Sequence, residues 1–419
     1  MTLHRWSQTR LMRRRAQDTL SRTRAHIAAD PSGLALRVLP CPSSPLQAHG
    51  HTTSSTRCRG AQFIGYGSGM FTRSYIDARA AFRAAARQAG ATLEAHEIVP
   101  PQGDEPEGLT IDVAILGSGP KALVLSSGLH GIEGFAGSAV QLQMLRETLP
   151  KDIRVVMLHA LNPYGMHHTR RVNESNVDLN RNFLGPDDDY AGCADAYRDM
   201  NHMLNPPRET RAIEFFIIEA IWQILRHGMP KLKTALVGGQ YTFDKGLFFG
   251  GAQLERGPEL LLEHLPRWLE GAEKIVHIDF HTGLGKSGTY KLLIDAEPGS
   301  KDHIRLRQAY GEHIQPWDAG HGVAYKISGG LPEAVGRIFG DRVDVLTCEY
   351  GTISSLKVID ALREENQQFH WGGNKARAKD KLRAAFRPSS ARWEKDILEG
   401  GRHVINQALS ALSQGETPQ

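Results

Sequence analysis

The stretch ALVLSSGLHGIEGFAGSAVQLQMLRETLPKDIRVVMLHAL, residues 122–161, decides the fold class. Ala122 to Ser126 is a short, continuous apolar run of the length expected for a buried strand. Ala139 to Leu149 then carries apolar side chains at helical spacing, and Ile153 to Leu161 is a second buried strand that ends at Asn162-Pro163. Strand, helix and strand in one short span is the unit from which helix-covered sheets are built. Upstream, Thr110 to Leu116 reads as another strand, separated from Ala122 by the turn Gly117-Ser118-Gly119-Pro120. Lys274 to Phe280, Tyr290 to Ile294 and Val343 to Thr347 are further strands. Helices are expected at Tyr75 to Gln88, with Gly90 as the glycine that ends it, and at Ile213 to His227, Ser355 to Gln368 and Trp393 to Leu412. These elements predict an α/β fold with a mixed, largely parallel central sheet flanked by helices.

The composition suits such a core. Of 419 residues, 40% are hydrophobic and 23% charged, as in an ordinary globular chain. The net charge of +4 is misleading, because residues 1–60 hold ten arginines, no lysine and two aspartates. The rest of the chain is mildly acidic, which gives no sign of a nucleic-acid partner. The four cysteines, Cys41, Cys58, Cys193 and Cys348, form no C-x-x-C pair and no disulfide framework. No run reaches the roughly 20 apolar residues that span a bilayer, so no membrane association is expected and the protein reads as cytoplasmic. Oligomeric state is not legible.

Residues 1–70 show no sustained period and read as a disordered basic extension. An organelle transit peptide, or a start at Met70, are alternatives for it. Residues 71–415 read as one domain. Within it, the long segment 184–270, with Gly238-Gly239-Gln240-Tyr241 and Gly246 to Gly251, is expected to form a lid or pocket wall.

Three short words carry the chemistry. His130 and Glu133 come just after the strand Ala122 to Ser126, with Gly131 and Gly134 giving freedom for a tight turn. Alone, H-x-x-E is weak in a chain with 19 histidines. In Lys274 to His281, alternation puts His277, Asp279 and His281 on one face and Val276, Ile278 and Phe280 on the other. His281, at the strand end, is the best ligand candidate there. Two nitrogens and one carboxylate with a position left open is a catalytic zinc set. The third word runs from Arg171 to Phe183, with Asp178 and Asn180 lying between Arg171 and Arg181. Guanidinium groups grip carboxylates and oxyanions through paired hydrogen bonds. Gly283-Leu284-Gly285-Lys286-Ser287-Gly288 fits a dinucleotide fingerprint, but the next element reads as a strand and not a helix.

H-x-x-E, then R-x-N-x-x-x-V-D-L-N-R-N-F, then D-x-H and a late strand-end glutamate resemble the zinc carboxypeptidase superfamily, including its aspartoacylase and succinylglutamate desuccinylase branches. The likeness spans about residues 75–415, and Gln240-Tyr241 with Gly246 to Gly251 resembles an uncharacterised bacterial branch. It implies one zinc ion held by His130, Glu133 and His281, with Asp178 orienting His130. It further implies Arg171 at the oxyanion, Asn180 and Arg181 on a substrate carboxylate, and Glu349 as general base. Tyr325 fits only loosely the tyrosine that this superfamily carries on a mobile loop. The implied activity is amide hydrolysis by a metal-activated water, first as a carboxypeptidase acting on peptides. The alternatives are an N-acyl-amino-acid deacylase and a non-catalytic metal-binding relative.

Overall fold

The computed structural model describes residues 69–101, 108–211, 215–228, 236, 238–317 and 327–413. The basic extension expected at 1–70 lies outside them, apart from its last two residues.

The chain opens with α1 (Tyr75–Gln88), capped by Ser74, whose side chain accepts from the Asp77 amide. Strand β1 (Thr92–Val99) comes next, an element not expected from the sequence because Thr92 to Val99 alternates polar and apolar residues only loosely. After it come β2 (Leu109–Leu116), β3 (Lys121–Ser127), α2 (Gly134–Leu145), β4 (Ile153–His159) and the short α3 (Pro163–His168). The segment expected as a lid or wall carries α4 (Asp195–Leu204), α5 (Phe216–His227) and α6 (Arg256–Trp268). Beyond it lie β5 (Lys274–Ser287), β6 (Tyr290–Ile294), α7 (Lys301–Tyr310), β7 (Ile314–Pro316), α8 (Leu331–Phe339) and β8 (Val343–Gly351). Helices α9 (Ser355–Trp371), α10 (Lys375–Phe386) and α11 (Ala391–Ser413) close the domain.

Among the described residues, eight strands form one sheet in the order β1-β2-β4-β3-β5-β8-β6-β7. Its centre, β4-β3-β5-β8, is parallel, and antiparallel pairs lie outside it. The Gly117 to Pro120 turn makes no hairpin, because β4 pairs with both β2 and β3 and lies between them.

Each central strand divides its side chains between two cores. Leu123 and Leu125 of β3 pack with Val276, Ile278 and Phe280 of β5 under α1, α2 and α11. Ala122 and Val124 face the other core, with Leu260, Leu261, Leu331 and Val335 from α6 and α8. Each large apolar side chain among these, removed fully from water, contributes roughly 1.5–3 kcal/mol. Helix α2 is buried on all sides. It lies so close to the sheet that a Cβ on Gly137 would stand 2.6 Å from the Ser127 Cβ and 2.9 Å from the Phe280 Cβ. On β5, the face opposite Val276, Ile278 and Phe280 is left to His277, Asp279 and His281, all three buried.

Candidate metal centre

The parallel strands β3, β5 and β8 end side by side, at the sheet edge where open α/β folds place their ligands. His130 lies just past β3 and enters the one-turn helix Gly131–Glu133. That turn presses on α3, where a Cβ on Gly131 would come 2.1 Å from the Gly165 carbonyl carbon. His281 sits on β5, and Glu349 is its register partner on β8.

His130, Glu133 and His281 are buried together, and each offers a ligand atom within 4.8 Å of the others. Nδ1 of His130 is 3.2 Å from Nδ1 of His281. Glu133 places Oε1 3.0 Å from the first ring and Oε2 3.1 Å from the second. Each imidazole turns its other nitrogen to an aspartate. His130 Nε2 is 3.1 Å from Asp178 Oδ1, and His281 Nε2 is 2.6 Å from Asp279 Oδ2. A neutral ring that donates from Nε2 to a carboxylate presents an unprotonated lone pair at Nδ1. Two such lone pairs 3.2 Å apart repel unless a positive charge lies between them.

The electrostatics match a site built for a cation. Burial alone would raise the Glu133 carboxyl, but His130, His281 and Arg171 hold it well below its usual range. Burial would lower His281, yet Asp279 and Glu133 flanking it raise its pKa well above the ordinary value. A proton there supplies the charge that a metal supplies on binding, so metal uptake releases it. The donor set, two imidazole nitrogens and a carboxylate, suits a divalent ion of the zinc type.

Asp178 is itself fixed. Its Oδ1 accepts from the Asn180 amide at 3.1 Å and its Oδ2 from Arg171 Nε at 3.0 Å. Arg171 also donates from Nη1 to Glu133 Oε1 at 2.9 Å and brings Nη2 to 2.8 Å of His130 Nε2. An arginine only donates, so His130 Nε2 cannot serve Arg171 and Asp178 at once. Were His130 to hold an ion through Nδ1, its Nε2–H would go to Asp178 and the Arg171 Nη2 would be released.

Glu349 accepts from the Leu284 amide at 2.9 Å. Burial, and then the negative charge of Glu133, push its pKa up to about 8. It lines the same cavity of about 140 Å³ as the three candidate ligands, Arg171, Asn180 and Arg181. The remaining wall is mainly apolar, with Leu284, Trp317 and Phe386, and with Leu236 and Phe248 reaching in from the 184–270 segment. Asn180 accepts from the Leu331 amide at 3.0 Å, which ties it to the start of α8. The Arg181 Nη1 donates to the Asn180 carbonyl at 2.8 Å, while Tyr241 donates to the carbonyl of Arg181 at 2.7 Å.

The structure thus brings together His130, Glu133, His281, Asp178, Arg171, Asn180, Arg181 and Glu349. Tyr325 lies outside the described residues. Sequence reasoning took Asp279 for a possible ligand and missed its hold on His281. Its signal was present, since residues two apart on a strand share a face. The Gln240 to Gly251 loop also gains a role: the Phe249 carbonyl accepts from the Asp178 amide at 2.7 Å, and the Gly250 carbonyl from Asn182 Nδ2 at 2.8 Å.

A family model described as "Protein of unknown function (DUF2817)" matches residues 71–400. No curated protein matches the chain in sequence. Among solved structures it is similar to bovine thrombin-activatable fibrinolysis inhibitor, with 12% identity over 79% of this chain and 98% of that one, at a TM-score of 0.42. It is similar to carboxypeptidase A from Helicoverpa armigera at 16% identity and a TM-score of 0.40, over 75% of this chain and 74% of that one. A succinylglutamate desuccinylase from Silicibacter sp. TM1040 shares 13% identity over 67% of each chain, at a TM-score of 0.35.

Proposed function

The chain belongs to the DUF2817 family, and we propose that it is a zinc-dependent hydrolase of amide bonds, first of all a carboxypeptidase. One observation carries the reading. Two buried histidines aim the same ring nitrogen at each other across 3.2 Å, with both oxygens of Glu133 beside them and an aspartate behind each ring.

A zinc ion held there would lower the pKa of a bound water and polarise a substrate carbonyl. The other parts belong to the chain. Glu349, held at about 8 before any ion adds its charge, takes a proton from the attacking water and returns it to the leaving amine. Arg171 supplies positive charge where the oxyanion develops, a contribution of roughly 3–4 kcal/mol for one well-placed donor. Asn180 and Arg181 hold the substrate carboxylate. The apolar wall excludes water from the reacting bond.

A second reading, a deacylase acting on small N-acyl amino acids, draws on Leu236 and Phe248, which bring the 184–270 segment into the cavity wall. Purified protein given blocked dipeptides beside N-acyl amino acids separates the two. Turnover of dipeptides is the expected outcome. Turnover of N-acyl amino acids alone would replace the peptidase by the deacylase, and turnover of neither with zinc bound would remove the hydrolase reading.

A further inference from the structure

We propose that Ser126 and His277 are positioning residues that fix the tautomer and orientation of His281 through Asp279. The inference rests on the metal-centre reading and goes one layer further into the core.

Four side chains form an unbroken line across β3 and β5. The His277 Nε2 lies 2.8 Å from Ser126 Oγ, which donates to Asp279 Oδ1 at 2.6 Å. The other oxygen of Asp279 meets His281 Nε2 at 2.6 Å. All four are almost fully buried, so no water replaces a lost partner. The register makes the line possible: Ser126 pairs with Asp279, and Val124 with His277, on adjacent parallel strands.

Proton counting gives the line a direction. Ser126 has one proton, and it goes to the carboxylate. His277 must then donate to Ser126 Oγ from Nε2. Its Nδ1 has no hydrogen-bond partner among the described residues, which a buried nitrogen without a proton tolerates better than a buried N–H. Burial pushes the ring's pKa down to about 4, so it is neutral and carries a single proton. The order is His277 N–H to Ser126 O–H to Asp279, which accepts in turn from His281 Nε2–H. His281 keeps its proton on Nε2, so an ion that displaced the other proton would meet the lone pair on Nδ1, which faces His130 and Glu133.

The two ligand histidines are therefore braced differently. Asp178 is held by the cationic Arg171 and a backbone amide, whereas Asp279 is held by a neutral relay. Losing Ser126 leaves Asp279 Oδ1 without that donor in a dry site. The carboxylate is then free to rotate and His281 to change tautomer.

The test is ¹⁵N-imidazole NMR on the full chain, with zinc affinity measured by chelator competition. Wild type is expected to show Nε2–H at both His277 and His281. In Ser126→Ala, His281 is expected to show mixed tautomers and zinc binding to weaken about tenfold or more. His277→Leu, which removes the donor at similar volume, is expected to move both readouts the same way. His277→Gln restores an N–H donor and is expected to recover them, which a general loosening of the core would not do. This pair decides the matter even where Ser126→Ala fails to fold. A single Nε2–H tautomer at His281 and wild-type zinc affinity in both Ser126→Ala and His277→Leu would overturn the proposal. Finding Nδ1–H at His277 would overturn its direction. If wild type takes up no zinc, the metal reading fails, while the His277 tautomer still decides the relay.

Discussion

His281 and Glu349 are register partners on the neighbouring parallel strands β5 and β8. One sits in the candidate ligand group and the other does not, although both line the same cavity. This separation allows binding and catalysis to be tested apart. Glu349→Gln keeps the size of the side chain and removes the proposed base. Its expected result is a fall in kcat of about 10²–10⁴-fold with zinc content unchanged. Unchanged turnover in protein that still holds zinc would exclude Glu349 as the base.

The ligand cluster predicts a stability effect of metal that needs no substrate. Three buried groups, each offering a ligand atom within 4.8 Å of the others, should gain from an ion that binds only the folded chain. At zinc concentrations about a thousandfold above Kd, the gain is about 4 kcal/mol. Thermal unfolding with and without a chelator measures it, and His281→Ala should abolish the difference. A wild-type midpoint that ignores zinc would argue against the site.

These expectations were legible to different depths in the sequence. His130, Glu133 and His281 were reached as candidates from strand ends and alternation, and as one ligand set only through the resemblance of the motifs. The parallel centre of the sheet was readable from β3, α2 and β4, whose apolar periods are clean. Strand β1 was missed because its pattern is mixed, burial rising only toward Val99. The Asp279–Ser126–His277 line was hidden for another reason. It depends on which strands are neighbours, and nothing local to Ser126 states that β3 lies beside β5 rather than beside β2.

His159 predicts how stability depends on pH. Its ring stacks on Phe82 with centroids 4.6 Å apart, and its Nε2 lies 2.9 Å from Ser138 Oγ. Burial pushes its pKa down to about 4, below the ordinary value of 6.5. The unfolded chain therefore takes up the proton first. Stability is full above about pH 6.5 and is lost as pH falls toward about 4, by up to about 3 kcal/mol from this residue. Denaturant unfolding at about pH 7 and about pH 5 reads the loss. His159→Phe, which cannot titrate, should show a shallower dependence, and an unaltered slope would remove His159 from the account.

The role proposed for Arg181 separates recognition from chemistry. It lines the cavity with the candidate ligands, and its backbone is held from two sides: Tyr241 donates to its carbonyl at 2.7 Å, and its amide donates to the Asp178 carbonyl at 2.9 Å. A guanidinium positioned in this way suits a carboxylate that is bound equally in ground and transition states. Arg181→Met is then expected to raise KM about 10–100-fold while kcat changes little, as for loss of a charge-assisted hydrogen bond. The effect should vanish on substrates whose carboxylate is amidated, because they bring no charge for Arg181 to meet. Arg171→Met should behave in the opposite way, lowering kcat on both kinds of substrate. If Arg181→Met instead lowers kcat with KM unchanged, Arg181 acts on the transition state, and the carboxylate is recognised elsewhere in the cavity.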